Sequence, residues 1–179
     1  MVQRGHFQLR SGLHSPVYVQ VARLLHRPEL ATAALAALAD RVRDRGIAVV
    51  AGPAIGAVIV AYEIARYLGA RAVWTERVDG RMVLRRSLAV VPGERALVVE
   101  DVVTTGASAL EVRDVLTAAG AEVVGIAAVV NRLGAGALAG LPVDALAEIP
   151  LPTYPPASCP LCREGVPIDR PGSRVPPPT

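Results

Sequence analysis

Leu97-Val98-Val99-Glu100-Asp101-Val102-Val103-Thr104-Thr105-Gly106-Ala107-Ser108 is the stretch whose reading decides the fold. An apolar, β-branched run ends in two acids. A short loop of Thr, Thr and Gly follows, and a helical pattern opens at Ser108. Small residues let a backbone approach an anion closely. Free N–H groups at a helix start, with hydroxyls beside them, bind phosphate. Two carboxylates just upstream would sit next to whatever carries the phosphate, and a sugar diol donates hydrogen bonds well to carboxylates. The ligand class this spells is a phosphorylated sugar. Any one of these features alone is ordinary, since Thr and Ser are common helix caps. Their order and contiguity are what point to a site.

Working outward, the same strand–loop–helix rhythm continues on both sides. Ile47–Ala51, Ala72–Thr75, Arg95–Val99 and Glu122–Val130 read as apolar strands. Gly56–Leu68 and Ser108–Ala119 read as helices, stopped by Gly69 and Gly120. Strands alternating with helices predict an α/β fold, a mainly parallel sheet with helices on its faces. Upstream, Pro28 opens a helix whose stripe Leu30, Ala34, Leu35, Leu38 and Val42 is core-facing, and residues 6–21 read as two short strands around Ser11-Gly12. Residues 76–94 are polar, contain Asp79-Gly80, and predict a hairpin or mobile loop. Eleven of the fifteen prolines fall between Pro142 and Thr179, so the character of the chain changes there, and residues 171–179 are expected to form a disordered tail.

Composition bounds the rest. A chain of 179 residues, 52% hydrophobic and only 3% aromatic, builds one core from Ala, Val and Leu. The net charge of +3 comes from scattered residues, so a nucleic-acid footprint is not indicated. All nineteen basic residues are Arg, so any cation the site needs is a guanidinium, always charged and able to grip phosphate or carboxylate in a fork. Residues 1–15 lack the apolar core of a secretory signal, and the longest uncharged run, Ile47–Tyr62, is too short for a comfortable membrane span and is broken by Gly52-Pro53. The expected location is the cytoplasm. Cys159 and Cys162 make a single CxxC, and His6, His14 and His26 show no metal spacing, so the expectation is an unliganded turn. His26 reads as a surface residue.

The segment 97–108 resembles the signature that binds 5-phosphoribosyl 1-diphosphate (PRPP) in type I phosphoribosyltransferases. The resemblance implies that family's fold, with a small hood from the N-terminal strands (about residues 5–25) and the C-terminal segment (142–170), all in one domain over 1–170. It implies that Glu100 and Asp101 take the ribose diol and that Thr104 to Ser108 wrap the 5-phosphate, Val102 and Val103 lying in the same binding segment. The flanks are similar to orotate phosphoribosyltransferases in particular. Gly5-His6-Phe7-Gln8-Leu9-Arg10-Ser11-Gly12-Leu13-His14-Ser15-Pro16 resembles their N-terminal stretch, and by that likeness Arg10 contacts PRPP and His14 lies near a phosphate. Gly52-Pro53-Ala54-Ile55-Gly56 resembles their loop after the first core strand. Asn131-Arg132 stands where they usually have Asp-Arg, which assigns Arg132, with Thr104, to orotate. Cys159–Gly165 is similar to one bacterial branch.

Three departures accompany the likeness. The family's segment before Gly5, about a helix's worth, is not in the sequence, so a shortened N-terminus is expected. The family's loop often carries a catalytic Lys, and here only Arg77, Arg81, Arg85 and Arg86 are available in residues 76–94. Arg77 and Arg85 flank the Asp79-Gly80 turn and are the expected replacements, facing each other across a hairpin. Asn131 replaces an acid. The resemblance also implies Mg²⁺, held mainly by PRPP, and a homodimer. Two alternatives share the 97–108 segment: a purine or uracil phosphoribosyltransferase, which has no need of the Arg132 fork, and a non-catalytic PRPP-sensing regulatory protein.

Overall fold

Alternating apolar residues build two sheets, one short and one long. The computed structural model describes residues 1–9, 11–134 and 136–171. Arg10 and residues 172–179, and with them the expected Arg10 contact and most of the expected tail, lie outside the described residues. The chain divides into two compact units, Met1–Gln20 with Leu151–Thr179, and Val21–Pro150.

The first unit begins with an antiparallel hairpin, β1 (Val2–Gln8) and β2 (His14–Val19). Its register runs from Val2 opposite Val19 to Gln8 opposite His14, with an irregularity between Arg4 and Phe7. Gly12, at φ +81°, takes the left-handed turn position that the Ser11-Gly12 pair predicts.

The second unit holds the long sheet. A short helix, α1 (Ala22–Leu25), precedes α2 (Pro28–Asp40), which starts on Pro28 as expected. Its buried face is Ala31, Leu35, Leu38 and Ala39, while Leu30 is half exposed. Of the predicted stripe, Leu35, Leu38 and Val42 are buried as expected and Leu30 is not; Ala31 and Ala39, whose small side chains allow close helix packing, complete the inward face. Next come β3 (Val49–Pro53), α3 (Val58–Leu68), β4 (Arg71–Val78), β5 (Arg81–Leu84), β6 (Arg95–Val103), α4 (Ala107–Ala118), β7 (Glu122–Asn131), β8 (Ala137–Leu138) and β9 (Leu141–Glu148). The seven strands lie in the order β5-β4-β3-β6-β7-β9-β8. The five central strands are parallel, and β5 and β8 are antiparallel edges.

Strand alternation sends Val49, Ala51, Ala96, Val98, Ile126 and Ala128 into a core with Ala109, Val112 and Leu116 of α4. Helix α3 lies against β3, β4 and β6 and packs on α2. Both β8 and β9 were missed in the sequence. Pro142 and Asp144 interrupt the apolar run of β9, and the proline-rich composition drew the whole segment into the expected hood from residue 142. Proline is tolerated there because it stands near the start of the strand, opposite the edge residue Ala137. Residues 141–148 thus belong to the main sheet, and the first unit resumes only at Leu151.

The chain returns to the hairpin unit through Tyr154, whose N–H and C=O exchange 2.8 Å hydrogen bonds with His14. The last helix, α5 (Pro160–Arg163), follows. Asp169 then donates its N–H to the His6 carbonyl (2.7 Å) and accepts one from Gln8 (2.9 Å). Among the described residues no helix is long and apolar enough to cross a membrane.

Candidate active site

In an open parallel sheet, ligands bind outside the carboxyl ends of the strands where the strand order reverses. Here β3 comes first in the chain. Its successor β4 lies on one side and β6 on the other, so the reversal falls between β3 and β6. The loops leaving those two strands are Ala54–Ala57 and Thr104–Gly106, the two segments singled out in the sequence.

Glycine sets how closely the loops approach. A Cβ on Gly56 would meet Asp101 Oδ2 at 2.7 Å, so the Asp101 carboxylate rests on the Gly56 backbone. A Cβ on Gly52 would meet Ala57 Cβ at 2.7 Å and the Val99 carbonyl at 3.0 Å. The Ala54 N–H is tied to the Thr75 carbonyl of β4 at 2.8 Å. Consecutive strand residues point to opposite faces, and the two acids differ accordingly. Glu100 is buried at 7% exposure, whereas Asp101 is partly open and takes the Val102 N–H on Oδ1 at 2.8 Å.

Beyond β6 the chain turns through Thr104 and Thr105 to Gly106, which stands at the N-cap of α4 with φ +77°. The Thr105 hydroxyl accepts the Ala107 N–H at 3.4 Å. Leu138 of β8 packs directly against Gly106, and a side chain there would overlap it. Thr105 and Ala107 are exposed, Thr104 and Ser108 half-exposed, so the loop offers hydroxyls and backbone on an open surface above a helix start.

Arg132 follows β7, and its N–H donates to the Val103 carbonyl at 2.9 Å, which places it beside the start of the same loop. The Asn131 side chain explains that position. Its amide donates to the Gly134 carbonyl (2.8 Å) and its oxygen accepts the Leu133 N–H (3.0 Å), closing the turn around Arg132. The residue that replaces the family's usual acid therefore shapes the turn. Arg132 is 7% exposed, and burial draws its pKa below the ordinary guanidinium value. The group still keeps its charge.

The hairpin β4–β5 has the two-residue turn that Asp79-Gly80 predicts, with φ of 47° and 80° and Val78 paired to Arg81. It does not bring Arg77 opposite Arg85. Arg77 pairs with Met82, and Arg85 lies beyond the end of β5. Arg77 instead reaches Glu111 of α4 at 2.8 Å. Arg85 and Arg86 share Glu76, at 3.3 and 2.5 Å, and Arg86 holds the Glu76 carboxyl below its usual range. The expected facing pair fails because the two-residue turn sets Met82 opposite Arg77, and Arg85 lies further along the chain, past that register and beyond the end of β5.

The turn that carries Cys159 and Cys162 lies against His6 and His14. Sequence spacing hid this because the two histidines meet across the hairpin, not along one helix or loop.

A switch-point site with an acid-tipped strand, a small-residue loop and a helix start defines a class that binds phosphorylated sugars. The comparisons agree: residues 20–139 match the phosphoribosyl transferase domain. The chain is 46% identical over 170 residues to the orotate phosphoribosyltransferase of Desulforamulus reducens, covering 95% of this chain and 89% of that one. It is 47% identical over 173 residues to the orotate phosphoribosyltransferase of Thermotoga petrophila, covering 97% and 92%. The crystal structure of orotate phosphoribosyltransferase from Aeropyrum pernix superposes with a TM-score of 0.67 at 27% identity, over 83% of this chain and 88% of that one. The chain belongs to the orotate phosphoribosyltransferase family of type I phosphoribosyltransferases.

Proposed function

We propose that the chain transfers the 5-phosphoribosyl group of PRPP to orotate, giving orotidine 5′-monophosphate and diphosphate in de novo pyrimidine synthesis. The observation that carries this is the pairing at one strand-end cluster of a sugar-phosphate loop, Asp101 to Ala107, with the buried guanidinium of Arg132. Orotate is a planar anion, and a guanidinium fork matches its carboxylate bidentately. The relatives that share nearly the whole chain bear the same name.

In this reading N1 of orotate bonds to C1 of the ribose as the C1–O bond to diphosphate breaks, and the N1 proton passes to the departing diphosphate or to water. The ring becomes cation-like and negative charge gathers on the leaving group, so positioning and electrostatics supply most of the rate. Asp101 holds the ribose diol from the open face of β6, and Glu100, on the opposite face, reaches it over the strand end. Thr104, Thr105 and the backbone from Gly106 to Ser108 hold the 5-phosphate. Thr104 and Arg132 orient the base.

The two carboxylates are hard oxygen donors and fit Mg²⁺, which PRPP would mainly carry. When bound, Mg²⁺ neutralises the diphosphate. Arg77 or Arg85 of the 76–94 segment supplies the remaining positive charge toward it. The Arg77–Glu111 pair is exposed and worth only about 0–1 kcal/mol, so Arg77 can exchange it for a diphosphate oxygen.

We further propose a homodimer in the cytoplasm. Exposed Ile55, Ile59 and Tyr62, at 87%, 48% and 60%, support a self-association surface at the start of α3. Light scattering would show twice the chain mass; a monomer at working concentration would refute it. Mixing the chain with PRPP, Mg²⁺ and orotate tests the function: orotate should disappear as diphosphate is released, mole for mole. A chain that binds PRPP yet consumes no orotate would favour the sensing protein instead.

A further inference from the structure

We propose that His6, His14, Cys159 and Cys162 form a structural zinc site that ties the N-terminal hairpin to the C-terminal segment. This stands apart from the transferase reading, since all four residues belong to the unit Met1–Gln20 with Leu151–Thr179. One donor atom from each lies within 4.8 Å of the other three. His6 Nε2 is 3.0 Å from His14 Nδ1, 3.6 Å from Cys159 Sγ and 3.7 Å from Cys162 Sγ. Cys162 Sγ is 3.3 Å from His14 Nδ1. A tetrahedral zinc with Zn–N near 2.05 Å and Zn–S near 2.3 Å requires edges of about 3.3 Å between nitrogens and about 3.6 Å between nitrogen and sulfur. The observed edges lie close to those values.

The proton inventory points the same way. His6 Nδ1 is 2.7 Å from the Val166 carbonyl, an acceptor only, so Nδ1 carries the proton. In the neutral ring Nε2 is then a lone pair, and it faces one imidazole nitrogen and two sulfurs at once. Proton sharing can satisfy it through only one of them. A cation at the centre satisfies all four, and the Nδ1–H to carbonyl bond is the outer contact that fixes a metal-binding histidine.

The backbone holds the donors in place. His14 is bonded at both N–H and C=O to Tyr154, and the His6 carbonyl accepts from Asp169. Cys159 caps α5, whose turn closes with Gly165 N–H to the Cys162 carbonyl at 3.1 Å. His6, His14 and Cys159 are buried, while Cys162 is exposed and gives an entry path. Four protein donors close the site, which is the structural and not the catalytic pattern, and a mixed nitrogen–sulfur tetrahedron selects zinc. Binding would release the two thiol protons, leaving Zn²⁺, two thiolates and two neutral imidazoles with no net charge. The unit is too small to bury much apolar surface, so a metal staple has the stabilising role that disulfides play in other small folds.

The test is metal analysis of the full chain purified without chelator from zinc-supplemented cells. One zinc per chain is expected. Replacing zinc by Co²⁺ in the reduced protein should give the visible bands of tetrahedral cobalt together with a sulfur-to-cobalt charge-transfer band. Cys162→Ser, the exposed and mildest change, should lower zinc occupancy and weaken the charge-transfer band. If that variant fails to fold, the wild-type cobalt spectrum decides alone. Zinc-free protein with no cobalt spectrum, stoichiometric iron in its place, or a Cys159–Cys162 disulfide in the native chain would each overturn the proposal. None of these readouts depends on turnover.

Discussion

At the scale of single residues, Asp101 and Arg132 carry the proposed chemistry. Asp101 lies near the end of β6, before Val102 and Val103, on the Gly56 backbone, partly open, with one oxygen already engaged by the Val102 N–H. Asp101→Asn keeps the shape and removes the charge. The melting temperature should change little while most turnover is lost; normal kcat/KM in that variant would take Asp101 out of the site. Arg132→Ala should raise KM for orotate far more than KM for PRPP. Losing a charge-assisted bidentate contact costs on the order of 2–4 kcal/mol in a desolvated site. Equal effects on both substrates would argue against an orotate contact. The sequence singled out both positions, Asp101 through the order of apolar run, acids and small-residue loop, and Arg132 through the family resemblance of Asn131-Arg132. The role of Asn131 was not, since its two backbone contacts exist only once the turn at Leu133 and Gly134 has formed.

At the scale of elements, the loop–helix junction and the hairpin carry separate predictions. Gly106 combines φ +77° with direct packing of Leu138, so Gly106→Ala is strained twice. The backbone conformation alone costs roughly 1–2 kcal/mol. Urea melts should show at least that loss, and KM for PRPP should rise as the loop shifts; an unchanged midpoint and KM would mean the loop adapts freely. In the hairpin, Arg77→Ala and Arg85→Ala should separate the two candidates. The one that meets charge on the departing diphosphate should lower kcat with a smaller effect on PRPP affinity. If both keep near-normal kcat, the hairpin is a lid without a catalytic cation. Its turn was readable from Asp79-Gly80. Its pairing partners were not, because register and the reach to Glu111 of α4 are long-range facts. The same limit hid β8 and β9, whose short or proline-broken runs become strands only when β9 pairs with β7 and β8 with β9.

At the scale of the whole molecule, the parallel sheet explains why segments far apart in the chain serve one ligand. The order reversal between β3 and β6 gathers the 54–57 and 104–106 loops, and β7 adds Arg132 beside them. That architecture was legible from strand–helix alternation, and the tertiary cluster of His6, His14, Cys159 and Cys162 was not. The central claim is that the site is built for orotate and not for PRPP alone. Its most direct measurement is kcat/KM with PRPP and Mg²⁺ for orotate, uracil, hypoxanthine and adenine in parallel. Orotate should be favoured by orders of magnitude, and Arg132→Ala should erase most of that preference. Comparable or better turnover of a base without a carboxylate would contradict it.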